Sequence, residues 1–417
     1  MWGSAGIVKP GLERINRLLS FLGHPQRNYL SIQITGTNGK GSTAVLLHNL
    51  LNAGGFRPGL FTSPHLVSPE ERIRVSGRVY PGQLEKEVRD LGKRFLRRHP
   101  SFRKDPPTFF ELVTGLALKH FSEEGVEVAV LETGLGGRLD AVTASEPRIV
   151  VLTTVSLDHQ EFLGANLEEI LLEKVAPDRG GCLVAGEVPQ YLIRLILMRK
   201  RKVGGDLFTT GRDLFVWRNG KGSFDFSVRG EIIEGVSPVK GTGFQAGNAL
   251  LALAAFSCVA GSVSGKRGER LLKVLEETVI PGRFEVVPGH TTVVLDVGHN
   301  LEAVKAFCRE AGKLECRGRR VLVFSLMKNR DPLSLLRTWG EVADDIIYVE
   351  LGEMFHPFRR IREVSSLLGV KVLVAKSLRD ALSRGKKIAG SGGCVMVVGS
   401  HYLVGEYYRL EGKTADI

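Results

Sequence analysis

The feature that most constrains this chain is a glycine-rich loop between a predicted strand, residues 29–35, and a predicted helix, residues 42–53. Glycines allow backbone N–H groups to converge on phosphate oxygens, and the N-terminus of a helix adds a favourable dipole. A lysine in the loop supplies a mobile positive charge for the β- and γ-phosphates of a nucleotide. These residues predict phosphate binding. They are Gly36, Thr37, Asn38, Gly39, Lys40, Gly41, Ser42 and Thr43.

The spacing of this loop differs from the common P-loop. Ile34 stands where the first glycine would be, and Gly41 separates Lys40 from Ser42. A glycine-rich structural turn is therefore the alternative interpretation. The position between a strand and a helix favours phosphate binding.

Short apolar runs alternate with helical patterns along most of the chain, which predicts an α/β fold with a mostly parallel sheet. Helical spacing covers residues 108–121, and Asn166 can cap a helix that runs to about Val175. The apolar segment 249–260 is shorter than the roughly 20 residues that span a bilayer, so we expect a buried helix. The strand candidates are residues 29–35, 57–61, 126–131, 148–153, 181–185, 293–296, 321–324, 346–349, 371–374 and 395–398.

A break in this alternation predicts two domains, as the length of 417 residues also does. The sequence PGRFE at residues 281–285 interrupts the pattern, and a new alternation of strands and helices follows it. We place the boundary near residues 282–289. The N-terminal domain is expected to cover residues 1–285 and the C-terminal domain residues 286–417.

The composition, with 43% hydrophobic and 24% charged residues, is typical of a globular protein, and residues 1–10 do not resemble a signal peptide. Five scattered cysteines argue against a disulfide framework or zinc site and fit the cytoplasm. The formal charge of +12 suits nucleic acid or small polyanionic substrates. Without an aromatic-interleaved basic stripe, the basic clusters at 199–202, 317–320 and 359–362 are expected to be solvated surface. We expect a monomer that binds neither nucleic acid nor membranes.

Acidic side chains follow two of the predicted strands. Residues just beyond the carboxyl ends of parallel strands line the ligand crevice of an open sheet. Glu132, which follows strand 126–131, is therefore expected beside the glycine loop, where a carboxylate can hold Mg²⁺. A glycine-rich loop with a solvated glutamate is the alternative. Asp158 and His159 follow strand 148–153 and point to the same crevice, although a lone histidine is more often structural.

Two further pairs carry charge. Glu173 and Lys174 lie on a predicted helix, and on residue chemistry alone they are most simply an exposed charge pair. In the second domain, an apolar strand ends in Asp296, and His299 follows at a turn. These two side chains are expected to reach a cleft between the domains.

Ten segments, in order and over nearly the whole chain, resemble the folylpolyglutamate synthase and dihydrofolate synthase family, relatives of the Mur ligases. FTSPHL and ETGLGGRLDA are highly specific to this branch. The segments are ITGTNGKGST at 34–43, FTSPHL at 61–66, ERIRV at 71–75, TFFE at 108–111, ETGLGGRLDA at 132–141, LDHQEFLG at 157–164, EK at 173–174, PGRF at 281–284, DVGHN at 296–300 and GSHYLVGE at 399–406.

The resemblance implies an N-terminal P-loop ATPase domain of the Mur-ligase type and a C-terminal Rossmann-like α/β domain, with the active site between them. It also implies ATP and Mg²⁺, with two metal ions. The implied metal ligands are Ser63, Glu132, His159 and a carbamylated Lys174. The implied catalytic residues are Lys40, Lys174, Asp296 and His299. The implied nucleotide contacts outside the glycine loop are Asn248, Arg283 and Asp296. The residues implied near the pterin-bearing substrate are Thr108, Phe109, Phe110, Glu111, Arg138 and Asp140.

The implied reaction phosphorylates a carboxylate with ATP to an acyl phosphate, which the amino group of L-glutamate then attacks. The carboxylate belongs to dihydropteroate, to a folate, or to both. One alternative is a Mur-type ligase that acts on a peptidoglycan precursor; the loop at Gly36 is expected to leave no room for a separate N-terminal nucleotide-sugar domain. Another is a P-loop NTPase that serves as a switch or nucleic-acid motor.

Two positions depart from the family pattern. Val175, Ala176 and Pro177 follow Lys174, where the family usually continues Ala-Gly-Ile, so the helix is expected to end or kink early. His401 stands where the family usually has a smaller or apolar residue, which bears on substrate preference.

Overall fold

The computed structural model describes residues 9–220, 223–237 and 243–417. The chain divides into two compact units, Met1–Thr278 and Val279–Ile417. The predicted boundary between residues 285 and 286 lies further along the chain, inside the first strand of the second unit, Arg283–Val287.

The first unit alternates strands and helices as predicted. Its described helices are α1 Glu13–Phe21, α2 Lys40–Ala53, α3 Leu84–Arg98, α4 Phe109–Glu123, α5 Gln160–Leu163, α6 Leu167–Val175, α7 Gln190–Val203, α8 Gly243–Ala260 and α9 Gly265–Glu277. Its described strands are β1 Leu30–Thr35, β2 Pro58–Phe61, β3 Ile73–Val75, β4 Arg78–Val79, β5 Val128–Glu132, β6 Ile149–Leu152, β7 Cys182–Ala185, β8 Asp206–Thr209, β9 Leu214–Arg218, β10 Phe224–Val228 and β11 Glu231–Val236.

Eight strands form the main sheet of this unit in the order β4-β3-β2-β5-β1-β6-β7-β8. The six neighbouring strands β2, β5, β1, β6, β7 and β8 are parallel. At one edge, β3 pairs antiparallel with β2, and β4 pairs antiparallel with β3. Because β2, β5, β1 and β6 are parallel neighbours, the residues that follow them meet at one edge of the sheet. This order confirms the expected mostly parallel sheet.

A separate antiparallel sheet, β11-β10-β9, was not predicted from the sequence. Its central strand has the alternation of a strand with one buried face, because Phe224, Phe226 and Val228 are buried. The pattern spans only five residues, which explains why it is weak as a sequence signal.

Helix α8 confirms the expected buried apolar helix and begins before the predicted residue 249. Within the described residues, it alone is long and apolar enough to cross a membrane, and it is mostly buried. It packs against α2, the helix that begins at the glycine loop. A helix that is apolar on all sides is typical of a protein core.

The second unit contains a six-stranded sheet in the order β12-β13-β17-β14-β15-β16, in which only β12 is antiparallel to its neighbour. Each strand predicted here is present with ends shifted by at most one residue. The described strands are β12 Arg283–Val287, β13 Thr292–Asp296, β14 Arg320–Phe324, β15 Asp345–Val349, β16 Val372–Ala375 and β17 Cys394–Val398. The described helices are α10 Leu301–Ala311, α11 Pro332–Trp339, α12 Phe358–Leu368, α13 Leu378–Ala389 and α14 His401–Leu410.

Candidate functional site

The glycine loop connects β1 to α2 and is fastened to the end of β6. The Thr37 N–H donates to Thr154 O (2.9 Å), and the Asn38 N–H donates to Thr154 Oγ1 (3.0 Å). The Thr153 hydroxyl donates to Asn38 O (2.7 Å). These contacts hold the loop at the carboxyl edge of the sheet, at the N-terminus of α2.

Two glycines in this loop have physical reasons to be glycine. Gly36 has a φ of 142°, and a Cβ atom there would lie 1.9 Å from Thr153 Oγ1. Gly39 has a φ of 85° and precedes α2, and its Cβ would lie 2.4 Å from Asn248 Oδ1. Both positions therefore require a backbone without a side chain. This close approach is what a phosphate-binding loop needs.

Lys40 is the first residue of α2, and its Nζ donates to Gly36 O and Thr37 O at 3.1 Å each. Asn248, on α8, contacts the same helix, since the Thr43 hydroxyl donates to Asn248 Oδ1 (3.4 Å). Ser42 and Thr43 are buried. The structure thus brings the distant Asn248 to the loop, as the family resemblance implied.

Glu132 is the last residue of β5 and is buried. Its Oε2 accepts a hydrogen bond from the backbone N–H of Ser63 (3.0 Å). Ser63 follows β2, and β2 and β5 are parallel neighbours, so their carboxyl ends meet. A carboxylate and a serine hydroxyl group, both ligand types for a hard cation, are therefore adjacent at this edge.

The segment that follows β6 is joined to the glycine loop. The Thr37 hydroxyl donates to Ser156 O (3.3 Å), and the Ser156 N–H donates to Thr37 Oγ1 (3.1 Å). His159 precedes α5 with a φ of 49°, and its Nε2 lies 3.8 Å from Asp158 Oδ1. Asp158 and His159 thus follow directly after a residue that is bonded to the glycine loop.

Lys174 is buried, so the interpretation of Glu173 and Lys174 as an exposed charge pair is wrong. Burial and, to a smaller extent, the charge of Lys40 lower the pKa of the Lys174 amine to about 7, against the opposing charge of Asp158. Glu173 is half-buried and pairs with Arg138 (2.7 Å). A lysine in such surroundings is easily deprotonated.

The segment from Glu132 to Asp140 packs directly against α6. The Arg138 N–H donates to Glu173 O (2.9 Å), and a Cβ atom on Gly137 would lie 2.7 Å from that oxygen and 3.1 Å from the Lys174 Cα. Asp140 accepts from the N–H groups of Leu135 and Val142 (2.9 Å each), and burial raises its pKa to about 6. Both Asp140 oxygens therefore shape the loop.

The TFFE segment begins α4. Thr108 caps the helix and Glu111 completes the capping box, so both polar side chains bond to the backbone. Glu111 is buried and also accepts from Arg14 Nε at 3.0 and 3.2 Å. Phe110 packs on Phe61, with ring centroids 5.7 Å apart.

The guanidinium carbon of Arg72 lies 5.8 Å from the centre of the Phe109 ring. The aromatic pair Phe109 and Phe110 thus lies next to two other motif segments of this family, ERIRV and FTSPHL. Sequence reasoning gave Arg14 no role, because it precedes its partner Glu111 by 97 residues and no local pattern connects them.

In the second unit, Asp296 ends β13 and is buried. Its Oδ1 accepts from the N–H of Gly298 (2.7 Å) and its Oδ2 from that of Phe284 (2.9 Å). Burial raises the pKa of Asp296, and the charge of Arg283, its partner across the strands, opposes that shift. His299 and His401 pack edge to face, with ring centroids 5.7 Å apart.

The comparisons with known proteins agree with this geometry. Residues 34–176 match the Mur ligase middle domain, and residues 282–401 match the Mur ligase glutamate ligase domain. A dihydrofolate synthase/folylpolyglutamate synthase from Mycobacterium tuberculosis is 30% identical over 97% of this chain and 91% of its own length. This chain belongs to the folylpolyglutamate synthase and dihydrofolate synthase family of Mur-type ligases.

Two further similarities support membership of this family. A probable bifunctional folylpolyglutamate synthase/dihydropteroate synthase from Haloferax volcanii is 34% identical over 96% of this chain, which spans only 48% of that relative. The fold matches folylpolyglutamate synthase of Mycobacterium tuberculosis complexed with ADP, with a TM-score of 0.88 and 26% identity over 98% of this chain and 96% of that one.

Proposed function

We propose that this protein uses ATP to join L-glutamate to the carboxylate of dihydropteroate, of a folate, or of both. The observation that carries the proposal is the buried Lys174, whose pKa is lowered by burial and by the charge of Lys40, in a glycine loop at the carboxyl edge of the sheet. A phosphate loop with a second, buried lysine suits the transfer of a phosphoryl group to a carboxylate. The names of the relatives support the folate substrates.

The first unit offers a site for the nucleotide phosphates. The backbone of residues 36–41 and the N-terminus of α2 would surround them, and Lys40 would pair with the phosphoryl group that is transferred. The close approach of Gly36 and Gly39 to their neighbours fits this role. Asn248 and, from the second unit, Arg283 and Asp296 are proposed as further nucleotide contacts.

The residues at this edge also fit Mg²⁺, which would neutralise charge on the phosphates. Within the described residues, no group of three or more His, Cys, Asp or Glu side chains could hold a metal by itself. Glu132, Ser63 and His159 are the proposed ligands, with phosphate oxygens completing the shell. Two ions would require a further anionic ligand.

Carbamylated Lys174 would be that ligand. Carbamylation needs a neutral amine, and a pKa of about 7 supplies it near neutral pH. The modification also replaces a positive charge that Lys40 disfavours with a negative charge that Lys40 attracts. The electrostatics at this position therefore support an anion in place of the ammonium.

The residues proposed to lie near the pterin-bearing substrate offer different kinds of contact. Phe109 and Phe110 offer aromatic surface for a pterin ring. Arg138 is exposed enough to meet an anionic substrate, while Thr108, Glu111 and Asp140 would act by holding the backbone of their segments. His299 is proposed to contact reacting groups from the second unit.

The function is tested by measuring ADP release with dihydropteroate plus L-glutamate and, separately, with tetrahydrofolate plus L-glutamate. We expect ADP to appear only when both the pterin substrate and glutamate are present. ADP release that depends on a peptidoglycan precursor, or that is stimulated by nucleic acid and ignores pterins, would contradict the proposal. That the protein is a cytoplasmic monomer which binds neither membranes nor nucleic acid stays a prediction.

Replacement of Lys174 tests the carbamate. Arginine cannot be deprotonated, so Lys174→Arg and Lys174→Ala should each lower kcat by at least about 10²-fold, as expected for removal of a preorganised charge contact. A small carboxylic acid should partly restore Lys174→Ala. The control is Lys202→Ala, which removes an exposed lysine and should retain full activity. A fully active Lys174→Arg protein would refute the carbamate.

A further inference from the structure

The helix that carries Lys174 ends immediately after it. Helix α6 stops at Val175, and the following Pro177 has no N–H with which to continue the helical hydrogen bonds. This confirms the early end expected from the sequence. The carbonyl groups of the last turn need donors from elsewhere, because the last four carbonyls of a helix have no partner within it.

Arg199, on α7, supplies one of those donors, to Val175 O, and two more to the bend that follows the helix. Its Nε donates to Val175 O (3.1 Å), and its Nη2 donates to Ala176 O (2.8 Å) and Asp178 O (2.9 Å). The planar guanidinium group presents several N–H donors in a fixed arrangement, which suits three carbonyls that lie close together in one bend. One half-buried side chain therefore fixes the bend that follows Lys174.

The next residue on α7 fastens the same bend. Lys200 Nζ donates to Asp178 Oδ2 (2.9 Å) and Gly181 O (3.0 Å), and both charged side chains are buried. The expectation that the basic cluster 199–202 is solvated surface is therefore wrong for Arg199 and Lys200. It is correct for Arg201 and Lys202, which are exposed.

On its other side, α6 is held by the segment that follows Glu132. Gly137 lies against the Lys174 backbone so closely that a Cβ atom would collide with it, and Arg138 bonds to Glu173 through both backbone and side chain. Lys174 is thus fixed between that segment and Arg199. Movement of the α6 end would displace its amine relative to Lys40 and Asp158.

We propose that Arg199 is a positioning residue for the ligation reaction, which acts by fixing the end of α6 and thereby the amine of Lys174. The proposal rests on the proposed role of Lys174. Arg199 binds neither substrate nor metal; it sets the place of a group that does. A displacement of about 1 Å by a distant substitution can cost about 10²-fold in rate.

The test compares Arg199→Ala and Arg199→Lys with Arg201→Ala, which removes an exposed arginine from the same helix. For Arg199→Ala we expect kcat to fall about 10- to 10²-fold, the KM for the folate substrate to change little, and the half-saturating Mg²⁺ concentration to rise. Arg199→Lys should be intermediate, because an ammonium group can donate to the carbonyls without the planar fork. Arg201→Ala should match the unaltered protein.

Three outcomes distinguish the explanations. If Lys174→Ala is inactive while folded Arg199→Ala has normal kcat and Mg²⁺ dependence, the positioning role is overturned. If Lys174→Ala is itself active, the proposed role of Lys174 has failed instead. Urea unfolding gives the folded fraction of each variant. If Arg199→Ala does not fold, Arg199→Lys decides: unchanged activity per folded molecule in that variant would also overturn the proposal.

Discussion

The carboxyl edges of the two sheets have similar sequences but different electrostatics. Both have an apolar strand that ends in an acid, Glu132 in the first unit and Asp296 in the second, and both have a histidine in a segment that follows a strand, His159 and His299. In each unit burial pushes a charged group toward its neutral form, Lys174 in the first and Asp296 in the second. The two units differ in the groups that oppose this effect of burial on the pKa.

In the second unit, three groups oppose the effect of burial on the pKa of Asp296. Two backbone N–H groups and the charge of Arg283 all favour its carboxylate form. In the first unit, the charge of Asp158 favours a charged Lys174, but burial and the charge of Lys40 act against it. At the first edge, therefore, two neighbouring amines disfavour each other's charge, whereas at the second edge Arg283 and two backbone N–H groups offset part of the cost of burying the carboxylate.

Among the substitutions that test this comparison, replacement of Lys40 should have the largest effect on the reaction rate. Lys40→Ala removes the charge that is proposed to pair with the transferred phosphoryl group, and we expect kcat to fall at least about 10²-fold. Lys86→Ala, on the exposed side of α3, is the control. Steady-state ADP release is the measurement. Near-native turnover by a folded Lys40→Ala protein would remove the basis for the phosphate role.

Features that are set by contacts between residues close together in the sequence were predicted correctly. The strand–loop–helix unit at Gly36 and the cap at Asn166 are set by neighbouring residues, and both are present. The placement of Glu132 at the carboxyl edge of the sheet also followed, because parallel strands align their carboxyl ends, whereas Ser63 was implied only by the family resemblance.

Burial of charge was not predictable in the same way. Lys174 reads as an exposed charge because it stands next to Glu173 in the sequence, whereas its environment comes from residues such as Lys40 and Gly137 that lie far away in sequence. Arg14 and Arg199 are similar cases: each bonds to a segment that no spacing rule connects to it. The one local signal was Pro177, whose missing N–H implies that a donor must come from outside the helix.

Glu132→Gln sharpens the comparison at the first edge. The amide keeps the size of the side chain and one acceptor oxygen for the Ser63 N–H, but it removes the charge that is proposed to hold Mg²⁺. We expect the half-saturating Mg²⁺ concentration to rise by at least about 10-fold, since even residues behind a metal ligand have effects of that size. The thermal midpoint should change little. Glu85→Gln, an exposed acid on α3, should alter neither quantity.

Asp296→Asn tests the second edge and should have the smallest effect on rate. An asparagine oxygen can accept from Gly298 or from Phe284, but its amide nitrogen cannot accept from the other N–H group. A buried N–H without an acceptor costs about 1–3 kcal/mol, so the free energy of unfolding of the second unit should fall by about that amount.

The measurement for Asp296→Asn is thermal or urea unfolding, with Glu302→Gln on the exposed face of α10 as the control. Well below the unfolding midpoint, kcat should fall less than it does for Lys40→Ala, because asparagine keeps the size of the side chain and one of its two hydrogen bonds to the backbone. If instead stability is unchanged and kcat falls as far as for Lys40→Ala, the charge of Asp296 acts in the reaction rather than on the backbone, and the contrast between the two edges is lost.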